Sequence, residues 1–257
     1  MDVLGTPLLL TNYSDLQTGC LEAAQADKCI AVEFTNTQIV TLRRHDPTFH
    51  KETEEFDYFV PYGMPLIWCL KLSGARIHDR VYGPTFMRRV LTELRGSSTH
   101  FLLGGTEIAG KTIRARFSEA NPSVRFVGSF HGKCHSDGRL DGISDAAVIE
   151  EINRTSPDFI WVGLGAPKQE RWIHKHKHLI RRGVVLSVGF AFDVNAGTKR
   201  DAPHWMQGLG LTWLYRMCAE PRRLALRYLR YNSLFLFYLL FDGMRLRAWN
   251  RRDSVVN

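Results

Sequence analysis

Between Cys29 and Gly189, six short apolar runs alternate with longer amphipathic ones, and this alternation constrains the fold more than any other feature of the chain. The runs Cys29–Phe34, Phe56–Pro61, His100–Leu103, Val124–Gly128, Phe159–Gly163 and Val184–Gly189 are rich in β-branched and aromatic residues and are bounded by turn formers, which predicts strands. Helices are predicted over Thr37–His45, Pro65–Ser73, Pro84–Arg95, Thr106–Ala120, Asp145–Thr155 and Lys168–Arg182. Pro84 suits a first helical turn, where its missing N–H has no helical partner to lose. Asn121-Pro122 stops the fourth helix, because the residue before proline resists the helical conformation. Strands and helices in this order imply an α/β domain with a largely parallel sheet flanked by helices.

Sheets of this kind bind ligands beyond the carboxyl ends of their strands. Three of the predicted ends carry glycine: Leu103-Gly104-Gly105-Thr106, Gly128-Ser129 and Val162-Gly163-Leu164-Gly165. Glycine there lets backbone amides approach a phosphate or a sugar, or it simply makes a tight strand–helix turn. The residues alone leave both readings open. Gly163-Leu164-Gly165 does not continue into the dinucleotide fingerprint and no Walker A spacing is present, which disfavours a nicotinamide-dependent oxidoreductase. The densest polar group is Gly163-Leu-Gly-Ala-Pro-Lys-Gln-Glu-Arg-Trp172. It would crowd Lys168, Gln169 and Glu170 onto a helix N-terminus at a strand end. A cation and an amide there can contact a sugar or a diphosphate. The carboxylate can bind sugar hydroxyls or favour the helix dipole.

The charge lies elsewhere. Residues 216–252 hold nine arginines against Glu220 and Asp242, so this tail carries nearly all of the chain's net charge of +8. Such a segment seeks phosphates on nucleic acid, on anionic lipid or on a substrate. Within it, Leu234–Phe241 is uninterruptedly apolar but far short of the roughly 20 residues that span hydrocarbon. Aromatic residues beside clustered arginines suit an interfacial helix on anionic lipid better than a nucleic-acid module. The alternative is that this helix packs on its own domain or on another subunit. The five cysteines are scattered without C-x-x-C spacing and are expected to be reduced thiols. The N-terminus lacks the basic start and long apolar stretch of a secretion signal. His174, His176 and His178 spread around a helix and are expected on a solvated face, so no metal-ligand spacing is found.

The segment Trp161-Val-Gly-Leu-Gly-Ala-Pro-Lys-Gln-Glu-Arg-Trp-Ile173 resembles the signature of the WecG/TagA/CpsF glycosyltransferases, glycosyltransferase family 26. Three further segments agree in order: Phe34-Thr-Asn-Thr-Gln-Ile-Val40 with Arg44-His-Asp-Pro47, then Pro61-Tyr-Gly-Met-Pro-Leu-Ile-Trp68, then Phe192-Asp-Val-Asn-Ala-Gly-Thr-Lys-Arg200 through Glu220-Pro-Arg-Arg223 and Arg227-Tyr228. The resemblance implies a Rossmann-like domain over residues 1–200 and a basic, helical, membrane-associating appendage over 201–257. It implies an inverting, metal-independent enzyme with no cofactor, cytoplasmic and peripheral on the inner face of the cell membrane. Such enzymes move a sugar from a UDP-sugar to a polyprenyl-diphosphate-linked saccharide in cell-surface polysaccharide synthesis. Nucleic acid is not an expected partner, and a homo-oligomer is left open. The donor site is expected to involve Gly104, Gly105, Arg80, Lys168, Gln169 and Glu170. Arg216, Arg222, Arg223 and Arg227 are expected at the acceptor diphosphate or the membrane. Asn36 and Thr37 stand where the family places polar site residues, although Asn36 could equally cap a helix.

One position departs from the family. Its Pro-Asp-Gly segment supplies a carboxylate often regarded as the catalytic base, and this chain has Pro61-Tyr62-Gly63. Tyrosine, with an ordinary pKa near 10, is a poor base at neutral pH. Glu33, Asp79 or Asp193 could serve instead, Tyr62 could be activated by an arginine, or the protein could bind UDP-sugar with little turnover.

Overall fold

The computed structural model describes residues 1–77, 80–94 and 96–253, with side chains as far as Asp242. The strands are β1 (Asp2–Val3), β2 (Thr6–Pro7), β3 (Cys29–Thr35), β4 (Tyr58–Pro61), β5 (Ser98–Gly104), β6 (Val124–Phe130), β7 (Phe159–Gly163) and β8 (Gly183–Ser187). The helices are α1 (Tyr13–Gln25), α2 (Thr37–His45), α3 (Pro47–Glu52), α4 (Met64–Leu72), α5 (Gly83–Glu93), α6 (Glu107–Ala120), α7 (Asp145–Thr155), α8 (Lys168–His176), α9 (Ala191–Ala196), α10 (His204–Gly208), α11 (Thr212–Ala219) and α12 (Pro221–Asp253).

All six expected strands form, and they make one parallel sheet in the order β4-β3-β8-β7-β5-β6. A parallel sheet needs both faces covered, so its strands read as continuous apolar runs. One face carries Val32, Phe34, Leu102, Trp161 and Leu186 under α1, α5 and α6. The other carries Ala31, Phe101, Ile160, Val162 and Val185 under α4, α7 and α8, with Phe235 of α12 in the same core. This is a Rossmann-like α/β arrangement. Local chemistry starts the helices: Asn12, Asn36, Asp46 and Thr106 each accept a backbone N–H of the first turn, which satisfies donors a helix would otherwise leave open.

Several elements end elsewhere than their sequence pattern predicts. The helix expected over Lys168–Arg182 stops at His176 and continues as a single 3-10 turn, Lys177–Leu179. The chain must straighten from Ile180 to enter β8. Strand β8 ends at Ser187, where Val188 and Gly189 turn and both donate to Val162 O. Helix α5 ends at Glu93; Arg95, like Asp79, lies outside the described residues. The β1–β2 hairpin and helices α1 and α3 were not expected.

Helix α12 runs along α2. Thr37 Oγ1 donates to Asn232 Oδ1 (3.0 Å), Thr41 Oγ1 to Tyr231 O (3.4 Å), and Arg44 pairs with Asp242 at 3.2 Å. His45 Nδ1 meets the Tyr238 hydroxyl at 2.7 Å. The opposite side of α12 leaves Leu226, Leu229, Leu236, Phe237 and Leu240 exposed. One face of this helix therefore packs on the domain, and the other is apolar and open. Among the described residues no helix is long and apolar enough to cross a membrane.

Candidate active site

The carboxyl ends of β3, β7 and β8, with the turn after β4, surround a polar pocket of about 220 Å³. Strand ends supply Glu33, Gly163 and Ser187. The turns beyond them supply Asn36, Tyr62, Gly165 and Gly189, and the C-terminal helices supply Arg216, Arg223 and Arg227. Asn36 does two things at once. Its Oδ1 caps α2 by accepting from Ile39 N (3.1 Å), and its Nδ2 donates to the Tyr62 hydroxyl at 2.6 Å. Burial pushes the Tyr62 phenol up to about 12, and the opposing field of Arg216 does not reverse this. Tyr62 therefore keeps its proton at neutral pH and can donate, but not act as a base.

Arg216 lies over the Phe190 ring, 3.9 Å from its centre. The Nε atoms of Arg216 and Arg227 are buried without a hydrogen-bond partner among the described residues. A buried guanidinium donor left open costs free energy until an acceptor arrives, and a diphosphate offers that acceptor with matching charge. Arg223 also lines the pocket while its Nε holds Glu220 at 2.5 Å. Arg222 is exposed and lines none of these cavities.

A second cavity opens beside the first. It is an apolar groove of about 390 Å³ between α4, α11 and α12, walled by Met64, Trp68, Leu72, Trp213, Phe235, Leu236 and Leu239. The two cavities share Asn36, Tyr62, Tyr82 and Arg216. Thr37 and Arg80 face this groove rather than the polar pocket. Arg80 is buried, donates to Tyr62 O (3.4 Å) and Gln207 Oε1 (3.2 Å), and stacks on Tyr82. It braces the wall between the two cavities. A third, shallower cavity adjoins the pocket at Gly163 and Arg223 and includes Gly105, His131, Lys133 and Lys168. Lys168 Nζ there donates to Cys134 O at 2.5 Å.

Two of the glycine-based expectations have a packing explanation. Gly104 has φ +103°, and a Cβ would stand 2.7 Å from the Gly163 carbonyl carbon. Gly105 donates its N–H to Gly163 O at 3.2 Å, so that amide is already used. Glu170 is fully buried rather than open to a sugar. Its Oε1 accepts from Gln169 Nε2 (3.0 Å), while Gln169 Oε1 holds Gly165 N at 3.1 Å. Gln169 thus shapes the pocket floor with both ends of its amide occupied. The three histidines do not converge: His176 is half-buried, bonded to Trp172 O, while His178 is exposed. Among the described residues no three His, Cys, Asp or Glu side chains come together to hold a metal ion.

A parallel α/β sheet whose carboxyl edge opens into a polar pocket ringed by arginines, with an apolar groove alongside, is an arrangement suited to holding an anionic ligand next to an amphipathic one. The chain belongs to the glycosyl transferase WecG/TagA/CpsF family, whose model matches residues 1–249, and it is a glycosyltransferase of the hexosyl-transferring kind. It is similar to the N-acetylglucosaminyldiphosphoundecaprenol N-acetyl-beta-D-mannosaminyltransferase of Bacillus subtilis (strain 168), with 27% identity over 83% of this chain and 80% of that protein. It is also similar to the enzyme of the same name from Staphylococcus aureus (strain MRSA252), with 33% identity over 84% of this chain and 71% of that one.

Proposed function

We propose that the protein transfers N-acetylmannosamine, with inversion, from its UDP-sugar to N-acetylglucosamine carried on a polyprenyl diphosphate, in bacterial cell-surface polysaccharide synthesis. The observation that carries this reading is the shared wall: a polar, arginine-lined pocket and an apolar groove meet at Asn36, Tyr62, Tyr82 and Arg216. A reaction between a water-soluble nucleotide sugar and a lipid-linked sugar needs two such compartments with one meeting point. The names of the relatives supply the two sugars and the lipid diphosphate.

In this arrangement the donor lies in the polar pocket, with its nucleotide toward Lys168 and the third cavity. The acceptor's hydrocarbon lies in the groove and its diphosphate reaches Arg216 and Arg227. Charge accumulates on the leaving UDP as the glycosidic bond breaks, and preorganised cations stabilise it most where water is excluded. Arginines and Lys168 meet that charge on this reading, without a metal. The exposed leucines and phenylalanine of α12 rest on the inner face of the membrane, with the basic tail against anionic lipid.

Incubation with UDP-N-acetylmannosamine and a short-chain lipid-diphosphate N-acetylglucosamine, read by mass spectrometry, tests the reaction. A disaccharide product on the lipid is expected. Tight UDP binding with no product from any UDP-sugar would make the protein a binding homologue instead.

A further inference from the structure

Glu33 stands toward the carboxyl end of a central strand, 1% exposed, where a carboxylate is costly unless it is partnered. It nonetheless lines the polar pocket together with Ser187 and Gln169. Its register partner on β8 is Ser187, whose hydroxyl donates to Glu33 Oε2. Behind it lies Glu170 of α8, near enough that each carboxyl shifts the titration of the other. Glu170 Oε1 is occupied by Gln169, and its buried Oε2 has no other donor among the described residues. A proton on Glu33 can supply the missing donor.

We infer that Glu33 takes the proton of the acceptor hydroxyl, with Glu170 behind it as the second holder of that proton. The inference rests on the sugar-transfer reading above. It assigns the role that the family's aspartate would have had, and that Tyr62 cannot fill. Among the other carboxylates at the pocket, Asp193 is held by Lys199 at 3.1 Å and by Thr198 at 3.2 Å.

The acceptor oxygen forms a bond to the anomeric carbon. The bond from that carbon to the donor diphosphate breaks, and its electron pair leaves on UDP. The hydroxyl proton passes to the Glu33 carboxyl, and the proton Glu33 already carries moves on to Glu170. The pair goes from one proton to two, and loss of one to solvent resets it.

Two carboxyl groups in contact cannot both ionise, so they titrate as a unit. Burial, and for Glu33 the charge of Glu170, raise both; Glu170 is pushed up to about 7 and Glu33 well above the usual range. The pair therefore holds two protons in acid and one above neutrality, and only the second state can accept. Arg43 of α2 favours ionised Glu33 and Arg171 of α8 favours ionised Glu170, and Asp193 of α9, Arg216 of α11 and Arg223 and Arg227 of α12 line the same pocket. Tyr62, across the pocket, feels Glu33, and Arg216 of α11 acts on Tyr62 from the other side.

The test is kcat at saturating UDP-N-acetylmannosamine and lipid-diphosphate N-acetylglucosamine, from about pH 5.5 to 9, on the full chain. Wild type should gain activity as pH rises through about 7. Glu33→Gln, which can still accept from Ser187, should lose about 100-fold or more in kcat and lose that acid limb, with UDP affinity within about threefold. Tyr62→Phe should keep the limb. A Glu33→Gln enzyme retaining more than about a tenth of kcat, or an acid limb that disappears in Tyr62→Phe, would overturn the inference while leaving the proposed reaction in place. Should Glu33→Gln not fold, Glu170→Gln answers the same question: the limb should move away from neutrality, and an unmoved limb overturns the inference. No transfer by wild type from any UDP-sugar would overturn the proposed function, and this inference with it.

Discussion

Two buried polar clusters are built into the same sheet, and only one of them faces a cavity wide enough for substrate. In the first, His100 of β5 is fully buried and stacked on Phe159, their ring centres 5.1 Å apart. Its Nδ1 accepts from Trp161 Nε1 at 3.1 Å and its Nε2 meets Ser98 Oγ at 2.8 Å. Burial pulls it down to about 3, so it stays neutral. Both ring nitrogens are satisfied without any proton being shared. The second cluster, Glu33 with Glu170, Ser187 and Gln169, is comparably buried, and burial raises both of its carboxyls. It differs in leaving one carboxylate oxygen, Glu170 Oε2, without a donor among the described residues, and in placing Glu33 two residues from the carboxyl end of its strand rather than near the beginning. Burial and a displaced pKa are common to both. Position along the strand and an incomplete hydrogen-bond count distinguish a chemical site from a core.

Mutations separate the two clusters. The largest effect is expected from Trp161→Ala, which empties a fully buried site and leaves His100 without its donor. A loss of about 3–5 kcal/mol is expected, lowering Tm by roughly 10 °C, with kcat per folded molecule and its acid limb unchanged. A moved limb would show that the two clusters are energetically one. Next, Arg216→Ala should raise the acceptor KM by about 10–100-fold, the worth of a hydrogen bond to a charged group. UDP affinity should fall less; an equal fall in both would place Arg216 on the donor instead. The smallest effect concerns stability against pH. Glu170 binds its proton more tightly in the folded chain than at the ordinary value of about 4.3. Its contribution is therefore complete below that value and is lost as pH rises through about 7. Wild-type Tm should thus drop by a few degrees across this window relative to Glu170→Gln, when both are followed by scanning calorimetry. Parallel curves would mean that the pair does not share a proton.

The six parallel strands were legible because each is short, apolar on both faces and closed by turn residues. Helix α1 was not, since its buried positions are Leu16, Cys20 and Ala24, two of them too small to stand out as an apolar stripe. Helix α3 is a single capped turn and a half, below the length that periodicity can detect. At the candidate pocket, Gln169 stood out at its strand end, whereas Asn36 and Tyr62 were marked only by the resemblance to the family. The packing role of Gly104 could not, because it depends on how closely β5 approaches β7. The carboxyl pair joins residues far apart in the chain, and it exists only because β3 registers with β8 and α8 returns over both. Its one local signal is an acid inside Cys29-Ile-Ala-Val-Glu-Phe-Thr35, a strand otherwise fully apolar up to its end.

The groove beside the polar pocket bears on the height of the reaction barrier. Each methylene of a lipid drawn from hydrocarbon into water costs about 0.8 kcal/mol. An enzyme that pulled its acceptor free of the bilayer would add that cost, several times over, to the barrier for sugar transfer. Here Trp68, Leu72 and Trp213 line one wall and Leu236 and Leu239 the other, from the exposed apolar side of α12 inward to Tyr62. On the proposed reading the isoprenoid passes from one apolar environment to another, and its diphosphate alone exchanges water for Arg216. The extraction cost is then confined to a few atoms, and the energy of binding remains free to act on the bond being broken.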